Sequence, residues 1–196
     1  MNNISSVFSQ YLSAPIVDSV AKGEIRNVII NKEKRILNIY AEFKTLVSAA
    51  DIFATQRLIK SSTMQFNSVT IHPIYSSSLF DVAYFSEIVE FLKVDTPSLN
   101  GTLNGAQLFC KDNKLTVKLA HGGLSLLKAK DFNSLLRNII YKMFSLSFEV
   151  DYSGLTEIDG NSDEYIEQIN NVQKKIDREK LEELTQLYEF EEKTED

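Results

Sequence analysis

Cysteine occurs once in the 196 residues, at position 110, which excludes an internal disulfide and any cysteine-based zinc site and suits a reducing cytoplasm. Lying in a predicted strand, Cys110 reads as a small buried apolar side chain. Histidine is nearly as scarce: His72 and His121 each lack a second histidine or a carboxylate three or four residues on, so neither has a partner with which to share a metal. The seven glycines are scattered, and Gly122-Gly123, which follows a predicted strand, has neither a GxGxxG continuation nor a Gly-Lys-Ser. Helix breaking accounts for that pair. No G-x-S-x-G elbow occurs and no D-x-D pair sits at a strand end, which removes the common serine-nucleophile and two-metal nucleotidyl-transfer sites. No apolar run approaches the ~18 residues that a membrane span needs, and the N-terminus lacks the basic-then-apolar pattern of a secretory signal. The residues nominate no catalytic group, cofactor or metal ligand, and the expectation is a cytoplasmic, non-enzymatic chain without a membrane partner.

What is present is enough apolar material, 43% of the chain, to fill one medium domain or two small ones. The net charge of −6 conceals an asymmetry: residues 1–150 hold 16 Lys and Arg against 12 Asp and Glu, whereas residues 151–196 hold 5 against 15. A body at +4 is followed by a tail at −10. A dedicated duplex-DNA binder carries a denser basic face, because phosphate neutralisation supplies most of its affinity.

The strongest periodic signal lies near the end of the body. Phe132, Leu135, Leu136, Ile139, Ile140, Met143 and Phe144 recur at helical spacing and put one apolar stripe on a four-turn helix. Leu146, Phe148, Val150 and Tyr152 then alternate with polar residues, so the period switches to that of a half-buried strand. Upstream, Ile4, Val7, Phe8, Tyr11 and Leu12 follow helical spacing, and a second short helix fits between Pro15 and Gly23. Glu24–Asn31 and Lys34–Phe43 predict a hairpin turning at Asn31–Lys34, with Leu37, Ile39, Ala41 and Phe43 on one face. Ser48 and Asp51 have capping-box spacing for a helix over Ala49–Lys60, followed by a polar loop from Ser61 to Asn67. Val69, Ile71 and Tyr75 mark a third strand that Pro73 confines to a sheet edge.

The Ser76–Ser78 run suggests a boundary, giving an N-terminal α+β lobe over 1–78 and a second lobe over 79–153. In the second, Asp81 caps a helix carrying Tyr84, Phe85, Ile88 and Leu92, which Thr96-Pro97 ends. Gln107–Lys111 and Lys114–Leu119 flank Asp112-Asn113, two residues that tolerate the positive φ of a type I′ turn. A short helix at Leu124–Leu127 precedes the long one. Residues 154–196 read as an acidic helical linker, its narrow stripe of Tyr165, Ile169, Val172 and Ile176 too broken for a sustained coiled coil.

The second lobe therefore runs helix, strand, strand, helix, helix, strand, and resembles a type II KH domain; the first runs helix, strand, strand, helix, strand, the same order with one helix missing. In KH modules a GxxG loop between the central helices admits the nucleic-acid backbone. Here that position reads Lys128-Ala129-Lys130-Asp131, without glycine. Around it and the second hairpin lie Lys111, Lys114, Lys118, Lys128 and Lys130, candidates for nucleic-acid contact. A further basic group, Lys22, Arg26, Lys32, Lys34 and Arg35, surrounds the first hairpin, where such charge serves either phosphate contact or solubility. At the junction, Tyr75, Phe80, Tyr84 and Phe91 read either as packing between the lobes or as an exposed anchor for a partner protein.

Gly23-Glu24-Ile25-Arg26 opening a hairpin, Glu42-Phe43-Lys44-Thr45-Leu46 leading into a helix, Asn113-Lys114-Leu115-Thr116-Val117-Lys118 and the Glu/Lys-rich terminal segment together resemble the N-terminal region of the PolC-type DNA polymerase III alpha subunit. That family is the replicative polymerase of low-GC Gram-positive bacteria, in which this region precedes the OB, PHP, exonuclease and polymerase parts. The resemblance implies a first lobe like the C-terminal domain of the clamp-loader tau subunit, a KH-like second lobe, and a non-catalytic module that joins polymerase to clamp loader through tau. A KH-like module that binds single-stranded nucleic acid is the alternative.

Overall fold

The computed structural model describes residues 2–63, 65–99 and 101–154, which belong to one compact unit; the acidic helix expected beyond residue 160 lies outside the described residues. In chain order the elements are α1 (Ile4–Phe8), α2 (Asp18–Ala21), β1 (Glu24–Asn31), β2 (Ile36–Phe43), α3 (Ala49–Thr63), β3 (Ser68–Tyr75), α4 (Phe85–Asp95), β4 (Gln107–Lys111), β5 (Lys114–Leu119), α5 (Leu124–Ala129), α6 (Phe132–Phe144) and β6 (Glu149–Gly154). Short 3₁₀ turns extend α1 and lead into α4.

The chain executes the same path twice. An antiparallel hairpin, a helical crossover and a strand parallel to the second hairpin strand give sheet β1-β2-β3, then sheet β4-β5-β6, so the mixed α+β class and the element order expected for both lobes are observed. Local chemistry explains the turns. Asp112 and Asn113 have φ of 47° and 64°, the left-handed pair that matches hairpin twist, and both are residues that adopt it at small cost. Pro73 sits on β3, an edge strand, where its missing N–H breaks no central ladder.

Several boundaries shift for identifiable reasons. Helix α3 runs to Thr63 rather than Lys60, and the hydroxyls expected in a loop are satisfied on the helix itself, Thr63 Oγ1 donating to the Ile59 carbonyl at 2.8 Å and Ser61 Oγ to that of Leu58 at 3.0 Å. The first hairpin turns at Lys32–Arg35, with Arg35 at φ 55° and the Asn31 Oδ1 accepting from the Lys34 N–H at 2.9 Å. Strand β6 starts at Glu149, not Leu146: Ser145 leaves α6 in the left-handed region, and the ladder begins where the Glu149 N–H reaches the Asn113 carbonyl. Leu146 and Phe148 pack instead onto the core from the connection, Phe148 with its ring 5.1 Å from that of Phe80. Cys110, expected buried, is exposed, because the helical layer stops short of the outer strand β4.

Helices cover one face of each sheet. Leu37, Ile39, Ala41, Phe43, Val69 and Ile71 meet Ile52 and Ile59 of α3, and Leu115, Val117 and Leu119 meet Leu127, Phe132, Leu136 and Ile140. Each of these large side chains contributes roughly 1.5–3 kcal/mol of burial energy. Gly23 belongs to the first of these packings for a steric reason: a Cβ there would lie 2.5 Å from Cε1 of Phe43.

Candidate functional site

Where the end of β3 meets the turn before α4, the polar groups form a closed circuit. The Val47 N–H donates to the Tyr75 hydroxyl at 3.4 Å, and the Tyr84 hydroxyl donates to the Val47 carbonyl. Since the Tyr84 proton is thereby committed, Tyr75 donates to Tyr84 across their 3.0 Å separation. Burial pushes both phenols above their ordinary pKa. Phe144 stacks on Tyr75 with ring centroids 5.1 Å apart, and Phe80 meets Phe144 edge-on at 5.3 Å. From the second lobe, Glu87 Oε2 accepts from the Ala49 N–H at 2.7 Å, so a carboxylate on α4 caps the start of α3.

The four junction aromatics are thus placed inside. Tyr75 and Tyr84 are only 3% and 6% exposed; Phe80 and Phe91 are half-buried, Phe91 edge-on to Phe53 at 5.2 Å. They join the two lobes, and a partner does not reach the tyrosines.

Exposed apolar surface lies elsewhere, on β1. Val28, Ile29 and Ile30 are 40%, 47% and 51% exposed. Val28 and Ile30 stand opposite Ile39 and Leu37 on the helix-covered face, while Ile29 stands opposite Asn38 on the other, so this outer strand is apolar on both sides. Its free edge is only begun: the Ile25 N–H donates to the Asn2 carbonyl at 2.9 Å and Asn3 bridges Glu24. A bulge at Arg26, which pairs with Glu42 at 2.6 Å, separates that start from Asn27–Asn31, to which no strand pairs from outside among the described residues. The signal was in the sequence as three consecutive β-branched residues, a pattern that suits a strand covered on both faces.

The lysines named from the sequence divide. Lys111, Lys114 and Lys118 share the uncovered face of the second sheet, opposite in sense to Leu115, Val117 and Leu119. Lys128 and Lys130 are exposed at the end of α5, in the helical layer on the other side. Lys114 is engaged by Asp151 at 2.8 Å, and that ion pair raises the pKa of the amine and lowers that of the carboxylate. The position of a GxxG loop is a tight corner with Asp131 at φ 47°. Of the first basic group, Arg26 is tied to Glu42 and Glu24, Arg35 Nε donates to the Gln65 carbonyl, and Lys22, Lys32 and Lys34 are exposed.

The histidine on β3 is structural. His72 stacks on Tyr40 with ring centroids 4.6 Å apart, and its Nε2 lies 3.0 Å from Asn38 Oδ1; burial, then Lys142, lowers its pKa. Tyr152, bonded to Asn133, is pushed up to about 12 by burial, with Asp131 and Asp151 adding to the shift. A cleft of about 470 Å³ lies between α2 and the end of β2, and Lys44 Nζ is 3.7 Å from Glu24 Oε1 within its lining. Among the described residues no three His, Cys, Asp or Glu side chains are placed to hold a metal, and no helix is long and apolar enough to cross a membrane.

Fold and surface together define a twin-sheet α+β domain whose distinctive features are a strand edge and a sheet face rather than a deep cleft. Residues 83–196, more than half of the chain, match the family described as DNA polymerase III polC-type N-terminus II, and the chain belongs to that family. This places it in the N-terminal region of a PolC-type polymerase and in DNA replication. No curated protein and no solved structure matches it.

Proposed function

We propose that the chain is a non-catalytic protein-interaction module that tethers a PolC-type polymerase to the tau subunit of its clamp loader. The observation that carries this reading is the outer edge of β1, where Val28, Ile29 and Ile30 offer apolar side chains on both faces beside backbone that no strand among the described residues pairs. An extended segment of tau adding a strand there gains main-chain hydrogen bonds from Asn27–Asn31 and apolar contacts at alternate positions. Exposed Lys32 and Lys34 at the hairpin tip favour a segment with acidic flanks.

Calorimetric titration of the 196-residue chain with the C-terminal region of tau tests it. Binding at micromolar concentrations is expected, and Ile29→Lys, at a position exposed in the free chain, is expected to abolish it while leaving the circular dichroism spectrum unchanged. Absence of heat and of co-elution, or undiminished binding by I29K, refutes the reading.

A further inference from the structure

The open face of the second sheet carries an arrangement that tethering does not use. Phe109 is 51% exposed in the middle of β4. It stands opposite Thr116, whose same-face neighbours two residues away are Lys114 and Lys118, while Gln107 and Lys111 flank Phe109 on its own strand. Within the sheet the ring is therefore flanked by three lysines, Gln107 and Thr116, and on the outer side of β4 it borders the turn at Val82 and Ala83. The acidic groups of this face, Glu149 and Asp151, are confined to β6 on the far side of β5, where Asp151 draws Lys114 toward it. Asp112 lies beyond them, in the hairpin turn.

We infer that the β4–β5 half of this face binds single-stranded nucleic acid, Phe109 stacking on one base while Lys111 and Lys118 meet the flanking phosphates. Charge decides the class of ligand: the amines require an anionic partner, and a half-exposed ring beside the shallow hollow at Val82 and Ala83 supplies far less apolar area than a protein interface of ~1,000 Å² demands. One ring suffices for a base, because each base presents a π-face and stacking tolerates any sequence. A duplex keeps its bases stacked inside and cannot offer one to Phe109. The face lies across the sheet from Lys128-Ala129-Lys130-Asp131, so the site is distinct from the loop position that a KH module uses, and it stands independently of the β1 edge.

The test uses the 196-residue chain and a fluorescein-labelled oligothymidylate of about ten nucleotides, within the usual site size for such surfaces. Fluorescence polarisation at about 50 mM salt is expected to show binding whose logarithmic salt dependence has a slope of roughly −1.4, the value for two phosphates on a single strand. Phe109→Ala is expected to weaken it about tenfold. Because the chain contains no tryptophan, Phe109→Trp provides a sole indole whose emission should be quenched on stacking. Lys118→Glu should weaken binding and flatten the slope by about 0.7 or more, whereas Ile29→Lys on the other sheet should change nothing. Undetectable or salt-independent binding overturns the inference, as does full affinity in Phe109→Ala. Loss of affinity on combining Lys128→Glu with Lys130→Glu, equal to that of Phe109→Ala, would move the site to the loop and overturn it too.

Discussion

Truncating Phe144 to alanine probes the central structural claim, that the two sheets share one interior. The ring is fully buried and lies against Tyr75 of the first lobe and against Phe80 and Tyr84 of the second. Removing it leaves a cavity bounded by three aromatic rings, two of them, Tyr75 and Tyr84, held by the hydroxyl circuit and the third, Phe80, packed on Phe148, so the site cannot collapse freely. A buried Phe→Ala change costs about 3–5 kcal/mol, a large part of the roughly 5–15 kcal/mol that stabilises a domain. For a body of this size about 2–4 °C are lost per kcal/mol, which places the expected fall in Tm at roughly 6–20 °C. The informative assay is thermal unfolding followed at two places, with amide hydrogen exchange on β2 reporting the first lobe and exchange on β5 the second. Both should lose protection together and by the same free energy. A melt that splits in two, with β2 unaffected, or a loss below about 1 kcal/mol, would refute the shared interior.

Gly23→Ala should destabilise by about 1–3 kcal/mol in urea denaturation, because its Cβ would meet the buried Phe43 ring at 2.5 Å and the Ile4 Cδ1 at 3.1 Å; an unchanged midpoint would show that the ring yields. His72 has its pKa lowered from 6.5 by burial, so the unfolded chain takes up the proton first and the stability that His72 confers is present above pH 6.5 and lost as pH falls below it. Tm should drop between pH 7.5 and 5.5, and His72→Phe, which keeps a ring over Tyr40, should reduce that drop; equal pH dependence in both chains would exclude His72 as its source.

How much of this was legible beforehand depends on which forces act locally. The amino-acid sequence by itself determined the element order, because period, capping and turn chemistry operate within a few residues: the Asp112-Asn113 turn, the Ser48 hydroxyl that accepts from the Asp51 N–H at 3.1 Å, and the stripe on α6 are all local. It also presented the ingredients of the lysine-ringed face, since alternate residues of a hairpin share a side. Helix ends were less legible where Ser61 and Thr63 chose between solvent and a helix carbonyl. Only the tertiary structure decided which apolar residues remain outside. Val28, Ile30 and Leu37 look alike in the sequence, yet helix α3 covers the centre of the sheet and leaves its outer strand uncovered. In the same way, Tyr75 and Tyr84 became interior residues because Val47, distant in sequence, supplies both a donor and an acceptor to their hydroxyls. Burial depends on what the rest of the chain brings to a surface, and no local pattern encodes that.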